Sequence, residues 1–204
     1  MTLVALNAFG TTLVLPFILS GALDLGTLAI GLFLVPSGAV IALVSALGGG
    51  RIYDRFGPRP LIIPGAVIWT ASIWFLSTLD DTHGVWVYLA GFLIMSAAQA
   101  MMWAPLTTLA LSSLRADLHP YGSATFTTAQ QLAGAAGGAV LISAYTIGAN
   151  AAQAGTLTVK QAVSAGQAAF ITAGIIAVVV VIAALFIEKR RQSATLPPDV
   201  APAG

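Results

Sequence analysis

The sequence predicts an all-α integral membrane protein with six transmembrane helices and both termini in the cytoplasm. Hydrophobic residues make up 58% of the 204 residues and charged residues only 7%, whereas a soluble domain carries about 25% charged residues. So few charges cannot cover the surface of a water-soluble fold of this size. Six long apolar runs and a one-sided distribution of Lys and Arg complete the prediction.

Each apolar run is predicted to be a helix, because backbone groups in hydrocarbon must find hydrogen-bond partners within their own segment. A helix needs roughly 20 residues to cross a bilayer core about 30 Å thick. The runs near this length cover residues 3–20, 27–49, 61–79, 85–112, 122–148 and 166–187. They form one transmembrane domain, 1–187, and the Pro-containing tail 188–204 is predicted to be cytoplasmic and disordered.

Polar or glycine-containing segments separate the runs. A short turn at 21–26 follows the first run, and a charged segment at 48–60, here called the basic loop, follows the second. The polar sequence Asp-Asp-Thr-His-Gly at 80–84 closes the third run. The fourth run is interrupted by Pro105, the fifth is rich in Gly, Ala and Thr, and the sixth contains the valine run 178–181.

Lys and Arg collect in the cytoplasmic loops of membrane proteins, so their positions orient the predicted helices. With the basic loop in the cytoplasm, the residues that lie inside are Arg51, Arg55, Arg59, Arg115, Lys189, Arg190 and Arg191. Only Lys160 then lies outside. This bias requires all six helices, because one span more or fewer would move the last three basic residues to the outer face.

The basic loop carries the most specific motif of the chain. It reads Gly-Gly-Gly-Arg-Ile-Tyr-Asp-Arg-Phe-Gly-Pro-Arg-Pro and resembles the cytoplasmic loop Gly-x-x-x-Asp-Arg-x-Gly-Arg-Arg/Lys of the major facilitator superfamily. The matching residues are Gly50, Asp54, Arg55, Gly57 and Arg59. The loop lies between the second and third helices, as in that family, so the resemblance implies a six-helix half of a transporter bundle. Pro58 stands where the pattern usually has a basic residue, which puts one charge contact in doubt.

A gate between two conformations is the role that we predict for this loop. Gly50 would let two helices approach closely, and Asp54 would accept hydrogen bonds from a helix N-terminus and pair with arginine. Gly57 would turn the chain, while Arg55 and Arg59 would hold the loop in the cytosol. The alternative is that the arginines only set the membrane orientation.

The amino-acid sequences of the basic loop and of the later stretch 121–139 resemble those of the fourteen-helix drug:proton antiporter branch of that superfamily. The resemblance covers residues 1 to about 191 and implies that they are the last six of the fourteen helices. It implies multidrug efflux by proton antiport with alternating access, in the plasma membrane of a bacterium. The implied partners are the lipid bilayer, an apolar or amphipathic small molecule and a missing amino-terminal half.

Amide and aromatic residues within the spans are candidates for a substrate cavity. Amides in hydrocarbon cost free energy unless they are paired, so Gln99 and Gln131 are expected to face the bundle interior or a wet cavity. Gln131 also stands where the antiporter branch has Arg or Gln before Leu-Gly. Trp103 would offer an aromatic surface for apolar substrates beside the helix kink expected at Pro105. Core packing and interhelical hydrogen bonds are the alternative roles for these residues.

Gly134 and Gly138 lie four residues apart and give the fifth run a face of small residues. Lipid supplies no hydrophobic force between helices, so such a face lets two backbones pack closely. Both a moving interface between transporter halves and plain helix packing agree with this pattern.

The middle of every predicted span lacks Asp, Glu, Lys, Arg and His. A proton antiporter needs a titratable group within the membrane, so the coupling carboxylate is expected on the missing half. The first helix also lacks a hydrophilic flank, which suggests the carboxy-terminal half of a longer transporter or a truncated gene model. The alternative is a membrane fragment or scaffold that cannot transport without a partner half.

The residue types argue against other classes of function. Intramembrane hydrolases need Ser with His, or paired Asp, within the bilayer, and metal enzymes need clusters of His, Asp or Glu. The chain has no cysteine for thiol catalysis, and its net charge of +1 gives no general attraction to nucleic acid. We therefore expect no enzyme activity, no cofactor, no metal and no nucleic-acid partner.

Overall fold

A computed structural model describes residues 1–47, 59–80, 82–112, 119–150 and 159–185. They form six helices: α1 (Thr2–Ala22), α2 (Thr27–Leu47), α3 (Arg59–Ser77), α4 (Val85–Ser112), α5 (His119–Asn150) and α6 (Val159–Leu185). All six are long and apolar enough to cross a membrane. The predicted all-α membrane fold with six spans is therefore confirmed. If each of these six described helices crosses the membrane once, Thr2 and Leu185 lie on the same side, and the assignment of that side to the cytoplasm stays a prediction.

Helix α6 begins at Val159, seven residues before the predicted start at residue 166. The added turns are held by packing, because Ala162 and Ala165 are completely buried. A Cβ atom on Gly21 of α1 would lie 2.7 Å from the Cβ of Ala162. Apolar content alone therefore placed this boundary too late. The predicted tail, 188–204, lies outside the described residues.

Helix α6 packs against three other helices, α1, α3 and α5. Helix α1 makes its largest contact with α5, α3 packs on α4, and α2 contacts mainly α4. The buried residues of α6 are mostly small, and the glycines and alanines among them are Ala162, Ala165, Gly166, Ala169, Ala173, Gly174, Ala177 and Ala184. Small side chains on a helix allow its neighbours to approach closely.

Two interhelical hydrogen bonds attach α1 and α3 to the backbone of α6. Asn7 Nδ2 donates to the carbonyl oxygen of Ala173 at 2.8 Å, and Thr70 Oγ1 lies 3.3 Å from the carbonyl oxygen of Ala177. Asn7 is completely buried, so its amide needs such a partner in hydrocarbon. The two acceptor carbonyls are one helical turn apart on α6. Asn7 of α1 and Thr70 of α3 therefore lie at nearly the same level along the axis of α6.

A close backbone approach joins α1 to α5. A Cβ atom on Gly137 would overlap the carbonyl oxygen of Leu6, and a Cβ on Gly10 would lie 2.6 Å from the carbonyl oxygen of Gly137. Turning a side chain cannot relieve these overlaps, because the opposing atoms belong to the backbone. Only glycine at both positions permits this separation of the two helices.

Two helix contacts recur between the first three helices and the last three. Helix α1 packs on α5 and α6, and α4 packs correspondingly on α2 and α3. The close contact between α5 and α6 has no such counterpart between α2 and α3 in the described part of the chain. The two groups of three helices are therefore related in part of their packing.

We predict that Gly137→Ala lowers the free energy of unfolding by about 1–3 kcal/mol, the usual cost of overpacking. Unfolding of the purified protein in detergent, followed by circular dichroism, measures the effect. Gly38→Ala in α2 is the matched control, since nothing lies within 4 Å of the new Cβ. This control should match or slightly exceed the parent protein in stability, because glycine weakens helices. Equal stability of the two variants would argue against the close α1–α5 contact.

Candidate substrate cavity wall

Two aromatic rings connect α1 to α4, which otherwise make little contact. The rings of Phe9 and Trp103 meet edge to face, with centroids 6.2 Å apart and planes at 75°. This geometry is favourable because the positive edge of one ring meets the negative face of the other. Phe9 remains 40% exposed, so the pair presents aromatic surface in the gap between the two helices.

Gln99 and Pro105 flank Trp103 on α4. Gln99 is half-buried and lies one turn, about 6 Å, from Trp103 along the helix axis. Pro105 is buried, and α4 continues through it from Val85 to Ser112, so the predicted interruption is not a break. Because proline has no N–H, the carbonyl of Met101 lacks its usual intrahelical donor. An amide, an indole and this carbonyl therefore lie within two turns.

Gln131 lies on α5, three residues before Gly134. The Cβ position of Gly134 is 3.1 Å from the Phe9 ring, so Gln131 is about one turn from the aromatic pair along α5. Its side chain is exposed. The side-chain Nε2 of the neighbouring Gln130 is buried and has no hydrogen-bond partner among the described residues. We call Phe9, Gln99, Trp103 and Gln131 the amide–aromatic wall.

The first turns of α5 expose hydroxyl groups, and those of three threonines are satisfied within the helix. Thr125, Thr127 and Thr128 each donate to the carbonyl four residues earlier at 2.9 Å. Such bonds satisfy the hydroxyl without a partner from another helix. The exposed amide of Gln131 has no such bond within the described part of the chain, so it needs water, a ligand or another protein surface.

The two glycines predicted to pack helices lie against α1. A Cβ on Gly134 would touch Phe9, and a Cβ on Gly138 would lie 2.7 Å from Leu13 Cδ1. The face of small residues is therefore turned toward a helix of the same six-helix bundle. A role for Gly134 and Gly138 as a moving interface stays a prediction.

Four of the five predicted gating residues, Gly50, Asp54, Arg55 and Gly57, lie outside the described residues. Arg59 is the first residue of α3. The basic loop is therefore located only by its ends, between α2 and α3, and its gating role stays a prediction.

The single ion pair within the described ranges lies in the turn between α3 and α4. His83 Nδ1 is 2.7 Å from Asp80 Oδ1, and the backbone N–H of Thr82 donates to the same oxygen at 3.0 Å. Hydrogen bonds from Thr82 and His83 hold the pKa of the Asp80 carboxyl below its usual value. This pair shapes a loop and lies away from the amide–aromatic wall.

Sequence reasoning missed one residue of the wall, Phe9. The available signal was the stripe Phe9, Leu13 and Phe17, which repeats at helical spacing on α1. The same stripe would suit a helix face turned to lipid. Only the position of α5 shows that these side chains border another helix, since the rings of Phe17 and Tyr145 also meet, at 6.1 Å.

Water should reach the amide–aromatic wall, since unpaired amides in hydrocarbon are costly. We predict that a cysteine replacing Gln131 reacts with a charged maleimide in native membranes much faster than a cysteine replacing Ile175. Ile175 is the matched control because it is 57% exposed on the apolar surface of α6. The chain has no native cysteine to interfere. Equal, slow labelling at both positions would show that Gln131 faces lipid.

Comparison with known proteins agrees with this architecture. The family model of the Major Facilitator Superfamily matches residues 1–202. The chain is 34% identical over 184 residues to the lincomycin resistance protein LmrB of Bacillus subtilis, covering 87% of this chain and 38% of that protein. It is 34% identical over 199 residues to the uncharacterized MFS-type transporter YcnB of the same organism, covering 97% and 41%.

A more distant relative is the tetracenomycin C resistance and export protein of Streptomyces glaucescens, 26% identical over 141 residues, which cover 69% of this chain and 26% of that protein. The chain thus spans about two fifths of the length of LmrB and YcnB. The family match covers nearly the whole chain, and the fold has the six spans of a multi-pass membrane protein. The chain therefore belongs to the major facilitator superfamily.

Proposed function

We propose that this chain is the carboxy-terminal half of a multidrug exporter of a bacterial plasma membrane, and not an enzyme. The observation that carries the proposal is the amide–aromatic wall, which offers uncharged hydrogen-bonding groups beside aromatic surface. Such a wall suits amphipathic small molecules, whose apolar parts stack on rings while their polar atoms pair with amides. Relatives named for lincomycin resistance and for tetracenomycin C resistance and export support this substrate class.

A second six-helix half is the partner that this proposal requires. Helix α2 has only 11% of its membrane-length window buried, and the exposed face of α5 carries polar side chains up to Gln131, with the exposed Leu132 beside it. The apolar face of α2 is stable against lipid, whereas the side-chain amide of Gln131 on α5 needs a hydrogen-bond partner that lipid does not supply. A partner half packed along α5 and α2 would cover both faces and enclose the amide–aromatic wall in a central cavity.

Alternating access would follow from rocking of the two halves about this cavity. The basic loop would latch one conformation, with Asp54 pairing with arginine and with a helix N-terminus at the membrane surface. Breaking these contacts would release the other conformation. Arg55 and Arg59 would keep the loop in the cytosol throughout the cycle.

Proton antiport is the energy source that we propose. The spans of this chain carry no carboxylate or histidine at their centres, so the titrating group must come from the partner half. The second candidate function, a scaffold that cannot transport by itself, is favoured by the chain spanning only about two fifths of LmrB and YcnB.

The test of this proposal is export of radiolabelled lincomycin from drug-sensitive bacterial cells that express the chain together with the amino-terminal half of a related exporter. We predict that the two halves together lower lincomycin accumulation, that a protonophore abolishes the difference, and that Asp54→Asn impairs export while insertion into the membrane is unchanged. Asn cannot supply the charge that the latch needs.

Asp80→Asn is the matched control, because it makes the same chemical change in the turn between α3 and α4. Full export by the Asp54 variant would rule out the latch, and export that survives the protonophore would rule out proton coupling. No export when the parent chain and the amino-terminal half are both inserted would favour the scaffold.

A further inference from the structure

A shallow groove of about 380 Å³ runs between α3 and α6. It opens on the outer surface of the bundle, because side chains from both of its sides are exposed there. Val67 and Trp74 of α3 are 49% and 41% exposed, and Val178 and Ile182 of α6 are 40% and 50% exposed. The other side chains that line it are Thr70, Ala71 and Val181. We call this space the α3–α6 groove.

The chemistry of the α3–α6 groove restricts its occupant to hydrocarbon. No charged side chain lines it, and the two polar groups of its lining face the protein. Thr70 Oγ1 donates to the carbonyl of Ala66 at 2.8 Å and lies 3.3 Å from the carbonyl of Ala177. The indole Nε1 of Trp74 lies against α6, 3.1 Å from the Cβ position of Gly174. A polar ligand would lose its hydration here without gaining a hydrogen-bond partner.

The depth of the groove matches one leaflet of a bilayer. The membrane-length part of α3 covers Pro60–Ser77. Trp74 lies three residues, about 4.5 Å, from the end of this part, and Val67 lies about 10 Å deeper, near its middle. One leaflet supplies about half of the roughly 30 Å hydrocarbon core. Trp74 stands at the end nearest the membrane surface, where tryptophan is enriched. The groove therefore follows the path of an acyl chain.

The flanks of the groove do not suit a further helix. Ile68 and Phe75 of α3 are 40% and 46% exposed, and Ile175 and Val179 of α6 are 57% and 46% exposed. Helices associate in lipid through small residues and polar contacts, whereas these four side chains are bulky and apolar. The partner half proposed above would lie along α5 and α2, and α2 makes little contact with α3 or α6 among the described residues. A flexible chain fits this surface better than a rigid helix.

We infer that the α3–α6 groove binds one acyl chain of a phospholipid, in the leaflet that contains Trp74. The chain extends along α3 from Trp74 to Val67 and contacts both helices. It therefore makes more van der Waals contacts than a chain on the convex surface of α6 beside Val179, and it is held more tightly. This lipid site adds contacts between α3 and α6, and it does not depend on which cargo the protein exports or on whether the chain exports at all.

Fluorescence quenching by phosphatidylcholine with dibrominated acyl chains tests the site in the purified chain in detergent. Every variant carries Trp86→Phe and Trp103→Phe and keeps Trp69, which is completely buried, as a constant background. Trp74 then reports on the groove. The matched control combines Trp74→Phe with Val179→Trp, because residue 179 has similar exposure on α6 but does not line the groove. We expect half-maximal quenching of Trp74 at a severalfold lower lipid fraction than in the control.

Filling the groove supplies the second measurement. Ala71 is an exposed lining residue, so Ala71→Phe should occupy the groove without entering the core. It should raise the lipid fraction needed to quench Trp74 to that of the Val179→Trp control, and Ala71→Leu serves if the larger side chain prevents folding. The same lipid dependence for Trp74 and the control, or no effect of filling, overturns the site.

A second copy of the chain is the alternative occupant, and disulfide formation detects it. In the chain without native cysteines, Ala71→Cys should form no more intermolecular disulfide on mild oxidation in membranes than Val179→Cys. Cross-linking through Ala71→Cys and not through Val179→Cys would assign the groove to a second copy and overturn the lipid site.

Discussion

Helix α1 meets α5 backbone to backbone at Gly10 and Gly137, and the position of the amide–aromatic wall depends on this contact. The carbonyl of Leu6 occupies the place where a side chain on residue 137 would lie, and Gly10 faces the carbonyl of Gly137 in return. In lipid, helices gain little from burying apolar surface against each other, so association depends on close packing and polar contacts. The approach presses Phe9 onto Gly134 and so directs its ring toward Trp103 on α4. A packing constraint in one helix pair thereby positions the amide–aromatic wall.

Helix α6 supplies the second kind of attachment. Its carbonyl groups at Ala173 and Ala177 accept side-chain hydrogen bonds from α1 and α3, and the small side chains around these two positions let both helices come near. Helix α1 packs on α6 as α4 packs on α3. The gap between α1 and α4 contains the Phe9–Trp103 pair of the amide–aromatic wall.

The number of helices could be predicted from the sequence because the bilayer imposes both a length and an apolar composition on each span. The start of α6 could not, since its first turns are stabilised by Ala162 and Ala165 packing on other helices. Gln99 and Trp103 were recognisable as unusual groups within apolar runs. Phe9 was not, because its significance depends on which helices are neighbours in space.

Cross-linking α1 to α5 tests the central contact most directly. The Cβ of Phe9 lies 3.4 Å from the Cβ position of Gly134, close to the roughly 3.5–4.5 Å that a disulfide spans. In a chain without native cysteines, the double variant Phe9→Cys and Gly134→Cys should form an intramolecular disulfide on mild oxidation in membranes. Phe9→Cys paired with Gly31→Cys should not, because nothing lies near a Cβ at Gly31. Cross-linking of the second pair and not of the first would show that α1 lies elsewhere.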